Sequence, residues 1–197
     1  LRDGDRAKQE QYSLQQNGNR TKQDRSGLQR NRTGGPRTTE CSPAQEAGIG
    51  EDASVRLLDI GCAYGPFLDA AKDAGFSPYG IDVFEDAVSY VNEKLHLPAA
   101  VCDVFQFDPV DCFNGVRGFD VVSLWFVIEH LDRLSEILGR INSWLSKGGV
   151  ICFSTPTYKG ISGRRDIRLF LESSPADHLT VWSPESAASV LKKFGFR

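Results

Sequence analysis

Residues 55–65, Val-Arg-Leu-Leu-Asp-Ile-Gly-Cys-Ala-Tyr-Gly, decide the fold of this chain. An apolar run reaches an acid and passes through two glycines, and Pro66 follows at a position that suits the first turn of a helix. A strand, a glycine-rich turn and a helix in this order place a nucleotide-like ligand over the helix N-terminus. The stretch therefore predicts a ligand-binding turn at the end of a first strand.

From Val55 onward, short apolar runs alternate with stretches of helical periodicity. This alternation predicts an α/β fold in which crossover helices connect parallel strands. Lys147-Gly148-Gly149 is expected to end the longest helix, and residues 157–177 are expected to form a polar excursion between elements. The predicted strands are 55–60, 78–82, 99–102, 119–125 and 150–153, and the predicted helices are 66–74, 84–95, 131–145 and 184–193.

The chain of 197 residues is long enough for one domain and a tail. Residues 1–54 are polar and lack apolar periodicity, so we expect a disordered tail. Basic residues between Arg20 and Arg37 would suit RNA, but acids are interspersed and no aromatic residue alternates with the arginines. Residues 55–197 are the predicted domain. Because the chain starts at Leu1 and contains no methionine, we expect a fragment that lacks its true start.

Bulk composition limits the classes of function. A formal net charge of −3 and a pI near 5.7 give no electrostatic case for binding nucleic acid. No apolar run approaches the roughly 18 residues that a membrane span needs. The number of cysteines is odd and no Cys-x-x-Cys pair occurs, so we expect separate reduced thiols in a cytoplasmic protein. The five residues are Cys41, Cys62, Cys102, Cys112 and Cys152.

The glycine spacing and the neighbouring acids indicate the ligand of the turn. Gly61 and Gly65 are separated by three residues, which fits neither the dinucleotide fingerprint nor a P-loop. Asp59 at the strand end would repel a pyrophosphate and would suit an ammonium group. Asp82 ends the second strand, where an acid accepts hydrogen bonds from ribose hydroxyls, and Asp103 follows the third, where it could meet an adenine amino group. These acids describe the amine, ribose and adenine of S-adenosylmethionine.

Residues 55–197 resemble the class I S-adenosylmethionine-dependent methyltransferases, most of all the bacterial group that includes the ubiquinone-biosynthesis O-methyltransferases. The resemblance implies a Rossmann-like, doubly wound and mostly parallel sheet with strand order 3-2-1-4-5. It also implies that the last two of the usual seven strands are missing, which would leave the fifth strand as an apolar edge. The segments that carry the resemblance are 58–65, 79–82, 102–104, 119–122, 127–131, 145–149, 178–179 and 183–185.

The resemblance also assigns residues to the cofactor. Asp59 and the turn would shape the pocket for the methionine end, Asp82 would bind the ribose, and Asp103 would hold the adenine. For Asp82 or Asp103 taken singly, a turn acid or a helix N-cap is an equally good interpretation. The predicted cofactor-binding residues are Asp59, Gly61, Cys62, Ala63, Gly65, Asp82, Val83, Asp103, Val104, Leu124 and Trp125, of which the last two would line the cleft after the fourth strand.

Two histidines are candidates for acid–base chemistry on an acceptor. In ubiquinone-type relatives an acid-x-x-Glu-His arrangement is associated with a metal ion, but Phe126 stands at the position of the first acid. Since only Glu129 and His130 remain, we expect no metal, and His130 could act as a general base. A pair that caps the following helix and orients the loop is the alternative. His178 follows Asp177 where the resemblance places a loop beside the acceptor cleft, and a tie between loop and sheet is its alternative.

The resemblance implies a methyltransferase that moves a methyl group from S-adenosylmethionine to a small-molecule, lipid or glycan acceptor. From the charge and the apolar run lengths we expect no nucleic-acid partner and no membrane span. The alternative from another class is a non-catalytic module that keeps the cofactor site or serves as a partner surface. A nicotinamide-dependent oxidoreductase is disfavoured by the glycine spacing and by Asp59. These motifs do not specify the acceptor or the oligomeric state.

Overall fold

A computed structural model describes Cys41, Ser42, Ala44 and residues 54–197. Almost all of the predicted tail, residues 1–54, therefore lies outside the described residues. The described chain forms a five-stranded sheet in the order β3-β2-β1-β4-β5, and every neighbouring pair is parallel. The predicted α/β class and strand order are confirmed. The strands are β1 Arg56–Ile60, β2 Ser77–Asp82, β3 Ala99–Val101, β4 Phe119–Trp125 and β5 Leu145–Ser154.

Helices cover both faces of the sheet, because neighbouring residues of β1 belong to separate cores. Leu57 packs with Leu68 and Val88, whereas Leu58 packs with Ile137 on the opposite face. The helices are α1 Pro66–Asp73, α2 Glu85–Tyr90, α3 Pro109–Cys112, α4 Leu134–Trp144, α5 Ile161–Arg165, α6 Ile167–Glu172 and α7 Pro184–Lys193. A π-helical turn at Val91–Leu95 extends α2, and a 3₁₀ turn at Ile128–His130 follows β4.

The start of α7 agrees with the sequence prediction. The Ser183 hydroxyl accepts a hydrogen bond of 3.1 Å from the Ser186 N–H, and the Ser183 N–H donates one of 2.9 Å to the Ser186 hydroxyl. Pro184 occupies the first turn, where its missing N–H costs nothing. This reciprocal capping box fixes the helix at its predicted first residue.

The connection from α4 to β5 differs from the prediction. The helix ends at Trp144 and β5 begins at Leu145, five residues before the predicted strand start, so Lys147-Gly148-Gly149 lies inside the strand and does not end the helix. The register shifts between Phe119, which pairs with Leu145, and Val121, which pairs with Val150. The extra residues bulge out of the ladder, and Gly148 supplies the left-handed backbone, φ 85°, that the bulge requires.

Two stretches predicted as irregular contain short helices. The connection before β4 includes α3, whose cap residue Asp108 accepts from the Val110 and Asp111 N–H groups. The polar excursion 157–177 contains α5 and α6. Among the described residues, none of the helices has both the length and the apolar character needed to cross a bilayer.

A disulfide joins Cys41 to Cys102, so the prediction of separate reduced thiols is wrong for this pair. The segment around Cys41 lies along the end of β3, where the Ser42 N–H donates 3.2 Å to the Val101 carbonyl. The cysteines are separated by 61 positions and share no local motif, so only the fold brings them together. The cytoplasmic location rested on reduced thiols and therefore stays a prediction.

Candidate functional site

The glycine-rich turn between β1 and α1 is built on left-handed backbone. Gly61, Ala63 and Gly65 have φ values of 75°, 47° and 74°. The N–H groups of Gly61 and Cys62 donate to the Ile81 carbonyl at 2.8 and 3.1 Å, so the turn is anchored to the end of β2. The predicted turn therefore lies at the carboxyl end of the central strands, where α/β folds bind ligands.

Both glycines of the turn are required for space as well as for their backbone conformation. A Cβ on Gly61 would lie 2.4 Å from the Val127 Cγ2 atom, which follows β4. A Cβ on Gly65 would lie 2.8 Å from both Leu95 Cδ1 and Val91 Cγ2. Side chains from two other parts of the chain thus pack against bare backbone, and the turn cannot accept larger residues at these positions.

Asp59 is a buried acid that has no cationic side chain as its partner. It is 2% exposed, and its Oδ1 accepts a hydrogen bond of 2.6 Å from the Ser123 hydroxyl. Burial raises the pKa of Asp59 to about 7, which the Ser123 bond partly opposes and the nearby charge of Asp82 reinforces. Within residues 54–197 no ion pair involves Asp59. A buried carboxyl in this state suits a ligand that brings its own ammonium group.

Asp82 links the turn to the end of β2. Its Oδ2 accepts from the Ala63 N–H at 2.8 Å, and its Oδ1 accepts from the Phe84 N–H at 2.9 Å. The turn-acid interpretation is therefore right for this residue, but each carboxylate oxygen keeps a further lone pair for a ribose hydroxyl. Val83 follows and is 72% exposed, so its side chain is free to lie against an adenine ring.

Asp103 lies just beyond β3 and is exposed. Its Oδ1 accepts from the Phe105 N–H at 2.9 Å, which is the short-range bond of a turn acid. The intervening Cys102 N–H donates 2.9 Å to the Asp82 carbonyl. The three predicted acids Asp59, Asp82 and Asp103 thus follow one another along the carboxyl ends of β1, β2 and β3, which are neighbours in the sheet.

Three predicted cofactor residues turn their side chains into the core. The prediction that Leu124 lines the cleft is wrong, because Leu124 is 0% exposed and packs in the main core. Alternation along β4 instead turns its neighbour Trp125 outward, where it packs edge-to-face on Phe67 with ring centroids 4.9 Å apart. Cys62 and Val104 are buried too, so only their backbone is available to a ligand.

A second cluster forms where Glu129, His130 and His178 come together. Glu129 is 1% exposed, and neither carboxylate oxygen has a hydrogen-bond partner among the described residues. The two histidine rings meet edge-to-face with centroids 4.7 Å apart. One donor atom from each of the three residues lies within 4.8 Å of the others. The structure therefore brings together both predicted histidines and a buried acid.

Backbone contacts hold this cluster in place. The Glu129 carbonyl accepts from the Leu179 and Thr180 N–H groups at 2.8 and 3.3 Å. The His130 Nδ1 atom lies 3.2 Å from the Asp177 carbonyl oxygen and 3.4 Å from its carboxylate. The loop around His178 is thus tied to the segment after β4.

The helix-cap interpretation of Glu129 and His130 is wrong. The cap position of α4 is Arg133, and no side chain caps the helix there. Both residues instead belong to the 3₁₀ turn before α4.

Phe126 is a site residue whose conformation the sequence analysis did not foresee. It follows Trp125 at the end of β4, has a left-handed φ of 58° and is 61% exposed. Its N–H donates 2.9 Å to the Ser154 carbonyl, which extends the pairing with β5. A bulky residue rarely adopts this conformation, and no local motif in the sequence marks it.

Comparison with known proteins identifies similar domains. A family model described as a methyltransferase domain matches residues 8–197. The crystal structure of a SAM-dependent methyltransferase from Archaeoglobus fulgidus is similar, with 25% sequence identity and a TM-score of 0.58. That likeness covers 74% of this chain and 62% of the other.

Two curated relatives differ in the acceptor for which they are named. A tRNA N(3)-cytidine methyltransferase of Danio rerio is 28% identical over 120 residues, which are 56% of this chain and 34% of the relative. A ubiquinone biosynthesis O-methyltransferase of Nitrobacter winogradskyi is 29% identical over 104 residues, which are 52% and 39%. The chain thus spans little more than a third of the length of these relatives.

Proposed function

The chain belongs to the methyltransferase domain family, and from this relationship we propose that it binds S-adenosylmethionine and transfers the methyl group to an acceptor. Membership confirms the predicted relationship to class I S-adenosylmethionine-dependent methyltransferases. Because the chain spans little more than a third of its compared relatives, the activity of the whole protein is part of the proposal.

The row of three acids carries this proposal. Asp59, Asp82 and Asp103 lie at the carboxyl ends of three neighbouring strands, and Asp59 is buried with no ion-pair partner within residues 54–197. The ammonium group, ribose hydroxyls and adenine amino group of the cofactor would each meet one acid. Gly61 and Gly65 leave bare backbone on which the methionine end can lie. The residues present therefore fit the group.

The chain itself orients and shields the reactants. When bound, the cofactor supplies an electrophilic methyl group on a sulfonium. Asp59 would hold the ammonium group, since an anion against the sulfonium would oppose its loss of positive charge. Trp125, supported by Phe67, would form an apolar wall that excludes water from the cleft.

For the acceptor we favour a small molecule, lipid or glycan. The exposed acids Asp103 and Asp177 lie at the two clusters of the site, and they would repel a phosphate backbone. Trp125 and Phe126 expose aromatic surface that suits an apolar group. Incubation with methyl-labelled cofactor and separate RNA and organic-extract fractions would test this. Label is expected outside the RNA fraction, in the organic extract for a lipid or apolar acceptor and in the RNA-free aqueous phase for a glycan, and labelled RNA would contradict the choice.

His130 is the candidate general base of the acceptor reaction. Its Nδ1 atom faces the carbonyl and carboxylate of Asp177, and this arrangement favours the tautomer that leaves Nε2 free to accept a proton. His178 packs against its ring and restricts its rotation. His130, held in place by His178, would therefore take the proton from an acceptor hydroxyl as the methyl group is transferred.

The same cluster fits a divalent cation, which revises the expectation of no metal. That expectation counted two ligands, whereas the fold adds His178 as a third and leaves the buried Glu129 oxygens without a partner among the described residues. A carboxylate and two imidazoles suit Zn²⁺ or Mn²⁺. Such an ion would lower the pKa of an acceptor hydroxyl. With an ion bound, both imidazoles would be ligands and could not act as bases. Loss of methyl transfer after chelation would therefore indicate the metal role, and retained transfer would indicate general-base chemistry.

Cofactor binding is the decisive test of the proposed function. Isothermal titration with S-adenosylhomocysteine is expected to show saturable binding that Asp82→Ala weakens at least tenfold. Asp73→Ala changes an exposed acid at the end of α1 and serves as the matched control. Absence of binding, or equal affinity in Asp82→Ala, would overturn the cofactor assignment. Transfer of labelled methyl groups then distinguishes an enzyme from a non-catalytic binding module.

A further inference from the structure

Three sulfur atoms meet beside β3. Cys41 and Cys102 form the disulfide, and the Cys112 sulfur lies within 4.8 Å of both. Cys102 and Cys112 are buried, whereas Cys41 is partly accessible. The proposed methyl transfer gives these sulfurs no role, and their grouping requires another explanation.

The backbone of Cys102 is next to two acids of the proposed cofactor site. The Cys102 N–H donates to the Asp82 carbonyl at 2.9 Å, and Asp103 is the next residue in the chain. β3 has three residues and is the edge strand of the described sheet, where it pairs with β2 alone. The covalent link to Cys41 therefore restrains the backbone between the ribose and adenine positions.

The segment that carries Cys41 has a second contact with the same region. The Ser42 N–H donates to the Val101 carbonyl at 3.2 Å, and the Ala44 N–H donates to the Cys112 carbonyl at 3.0 Å. The segment thus bridges β3 and α3 and brings the third sulfur close to the disulfide. Two backbone hydrogen bonds, one covalent bond and the packing of Cys41 and Ala44 against the main core hold it there.

We propose that Cys41, Cys102 and Cys112 form a thiol–disulfide exchange site whose oxidation state sets cofactor affinity. This rests on the proposed function, since it assigns the ribose and adenine to Asp82 and Asp103. The reactant is a small dithiol or a dithiol protein. In the oxidised chain the link keeps the end of β3 ordered for binding, and in the reduced chain binding must first order it.

The proposed exchange needs no oxidant or reductant other than the dithiol. A thiolate of the dithiol attacks the accessible Cys41 sulfur, the S–S bond breaks, and Cys102 leaves as a thiolate that takes up a proton. The second thiol of the reactant then attacks the mixed disulfide and releases Cys41. Two electrons pass to the protein pair, and the reactant becomes a disulfide.

Cys112 provides an internal route. Its thiolate can attack the Cys102 sulfur, so that a Cys102–Cys112 bond forms and Cys41 leaves, with no net gain of electrons. Burial raises the pKa of the Cys112 thiol, so this exchange is slow at neutral pH. Peptide mapping of the unreduced chain is expected to show Cys41–Cys102 at neutral pH and to gain Cys102–Cys112 in alkaline buffer.

Cofactor affinity in the two oxidation states tests the proposal on the full chain. Equilibrium dialysis with labelled S-adenosylhomocysteine is expected to give a Kd roughly fivefold higher after dithiothreitol, at the lower end of typical coupling between sites. Cys41→Ser is expected to show the weaker value with or without dithiothreitol. Cys152→Ser removes a free cysteine on β5 and is expected to respond to dithiothreitol as the wild type does.

Two results would overturn the proposal. One is the recovery of Cys41 and Cys102 as free thiols from the unreduced folded chain. The other is a mapped disulfide whose reduction leaves the Kd unchanged. If neither oxidation state binds S-adenosylhomocysteine, the proposed function fails. Amide hydrogen exchange at residues 101–103 then tests the restraint on β3 by itself. Faster exchange after reduction supports this restraint, and unchanged exchange contradicts it.

Discussion

Ser123 on β4 donates a 2.6 Å hydrogen bond to Asp59 on the adjacent strand β1, and both side chains are almost completely buried. The Ser123 hydroxyl also lies 3.4 Å from the Leu58 carbonyl. Burial raises the pKa of Asp59 to about 7, and the charge of Asp82 adds to that rise. Burial, followed by the charges of Asp82 and Asp59, raises the pKa of the Cys62 thiol, and burial together with the Asp59 charge raises that of the Cys152 thiol.

Cofactor affinity and the stability of the free chain are expected to change with pH in opposite directions. An ionised Asp59 is needed for the ammonium group, so S-adenosylhomocysteine should bind more tightly as pH rises through about 7. The folded pKa of Asp59 lies above its ordinary value of 3.8, so the folded chain holds this proton more strongly than the unfolded chain. Its contribution to stability is therefore present below pH 3.8 and is lost as pH rises to about 7.

Asp59→Asn isolates this contribution. A rise in pKa from 3.8 to about 7 corresponds to roughly 4 kcal/mol, so the free variant is expected to gain up to about that much unfolding free energy over the wild type at pH 8. Urea unfolding of both chains at pH 5 and pH 8 measures the difference. A difference that stays constant between the two pH values would contradict the assignment.

Ser123→Ala is expected to move the pH midpoint of cofactor binding upward. The Ser123 hydroxyl lowers the pKa of Asp59, so its loss leaves the acid protonated to higher pH. The measurement is the Kd for S-adenosylhomocysteine from pH 6 to 9 in wild type, Ser123→Ala and Ser143→Ala, which changes an exposed serine of α4. A purely structural role would weaken binding equally at every pH.

Gly61→Ala is expected to destabilise the fold by roughly 3 kcal/mol, because left-handed strain adds to overlap with a packed side chain. The added Cβ would lie 2.4 Å from Val127 Cγ2. Combining it with Val127→Ala should recover part of the loss relative to Val127→Ala alone. Thermal unfolding of the four chains gives the coupling, and strictly additive effects would exclude the contact.

Ala63→Gly is expected to stabilise the chain slightly, by up to about 0.5 kcal/mol. Ala63 has a φ of 47°, where alanine is strained by roughly 1 kcal/mol and glycine is not. Glycine also gives the unfolded chain more conformational freedom, and this offsets part of that gain. Chemical unfolding measures the change, with Ala70→Gly inside α1 as a control that should lose stability.

Mn²⁺ or Zn²⁺ is expected to raise the thermal midpoint of the wild type through Glu129, His130 and His178. His178→Ala should abolish this response, because it removes one of three ligands. His96→Asn is the control, since it removes a histidine from an exposed left-handed turn that asparagine tolerates. An equal response in both variants would place the ion elsewhere.

The sequence predicted the elements whose signals are local. β4 was predicted at its observed bounds because Phe119–Trp125 is a mainly apolar run in which Asp120 and Ser123 are the only polar residues, and α7 begins at Pro184 because Ser183 caps it. The turn was recognised because Gly61, Gly65 and Asp59 combine backbone freedom with an acid at a strand end.

The parts that were missed depend on contacts between distant segments. The early start of β5 follows from its bulged pairing with Phe119, which no pattern within residues 145–149 reveals. The Cys41–Cys102 bond joins positions that are 61 residues apart in the sequence. His178 and Glu129 are nearly 50 residues apart, and in both cases only the fold brings the two positions together. Leu124 was wrongly assigned to the cleft because successive strand residues face opposite sides, and the sequence does not reveal that Leu124 faces the core.

The π-helical turn at Val91–Leu95 makes the cofactor turn sensitive to chain length. The His96 N–H closes this turn on the Val91 carbonyl, so it holds one residue more than an α-helical turn. Val91 and Leu95 together form the floor on which Gly65 lies. Deleting the exposed Lys94 would remove the extra residue of the π turn and shift Leu95 from its present place beside Gly65. Single-residue insertions and deletions in this helix would therefore reshape the pocket during evolution without changing any residue of the turn.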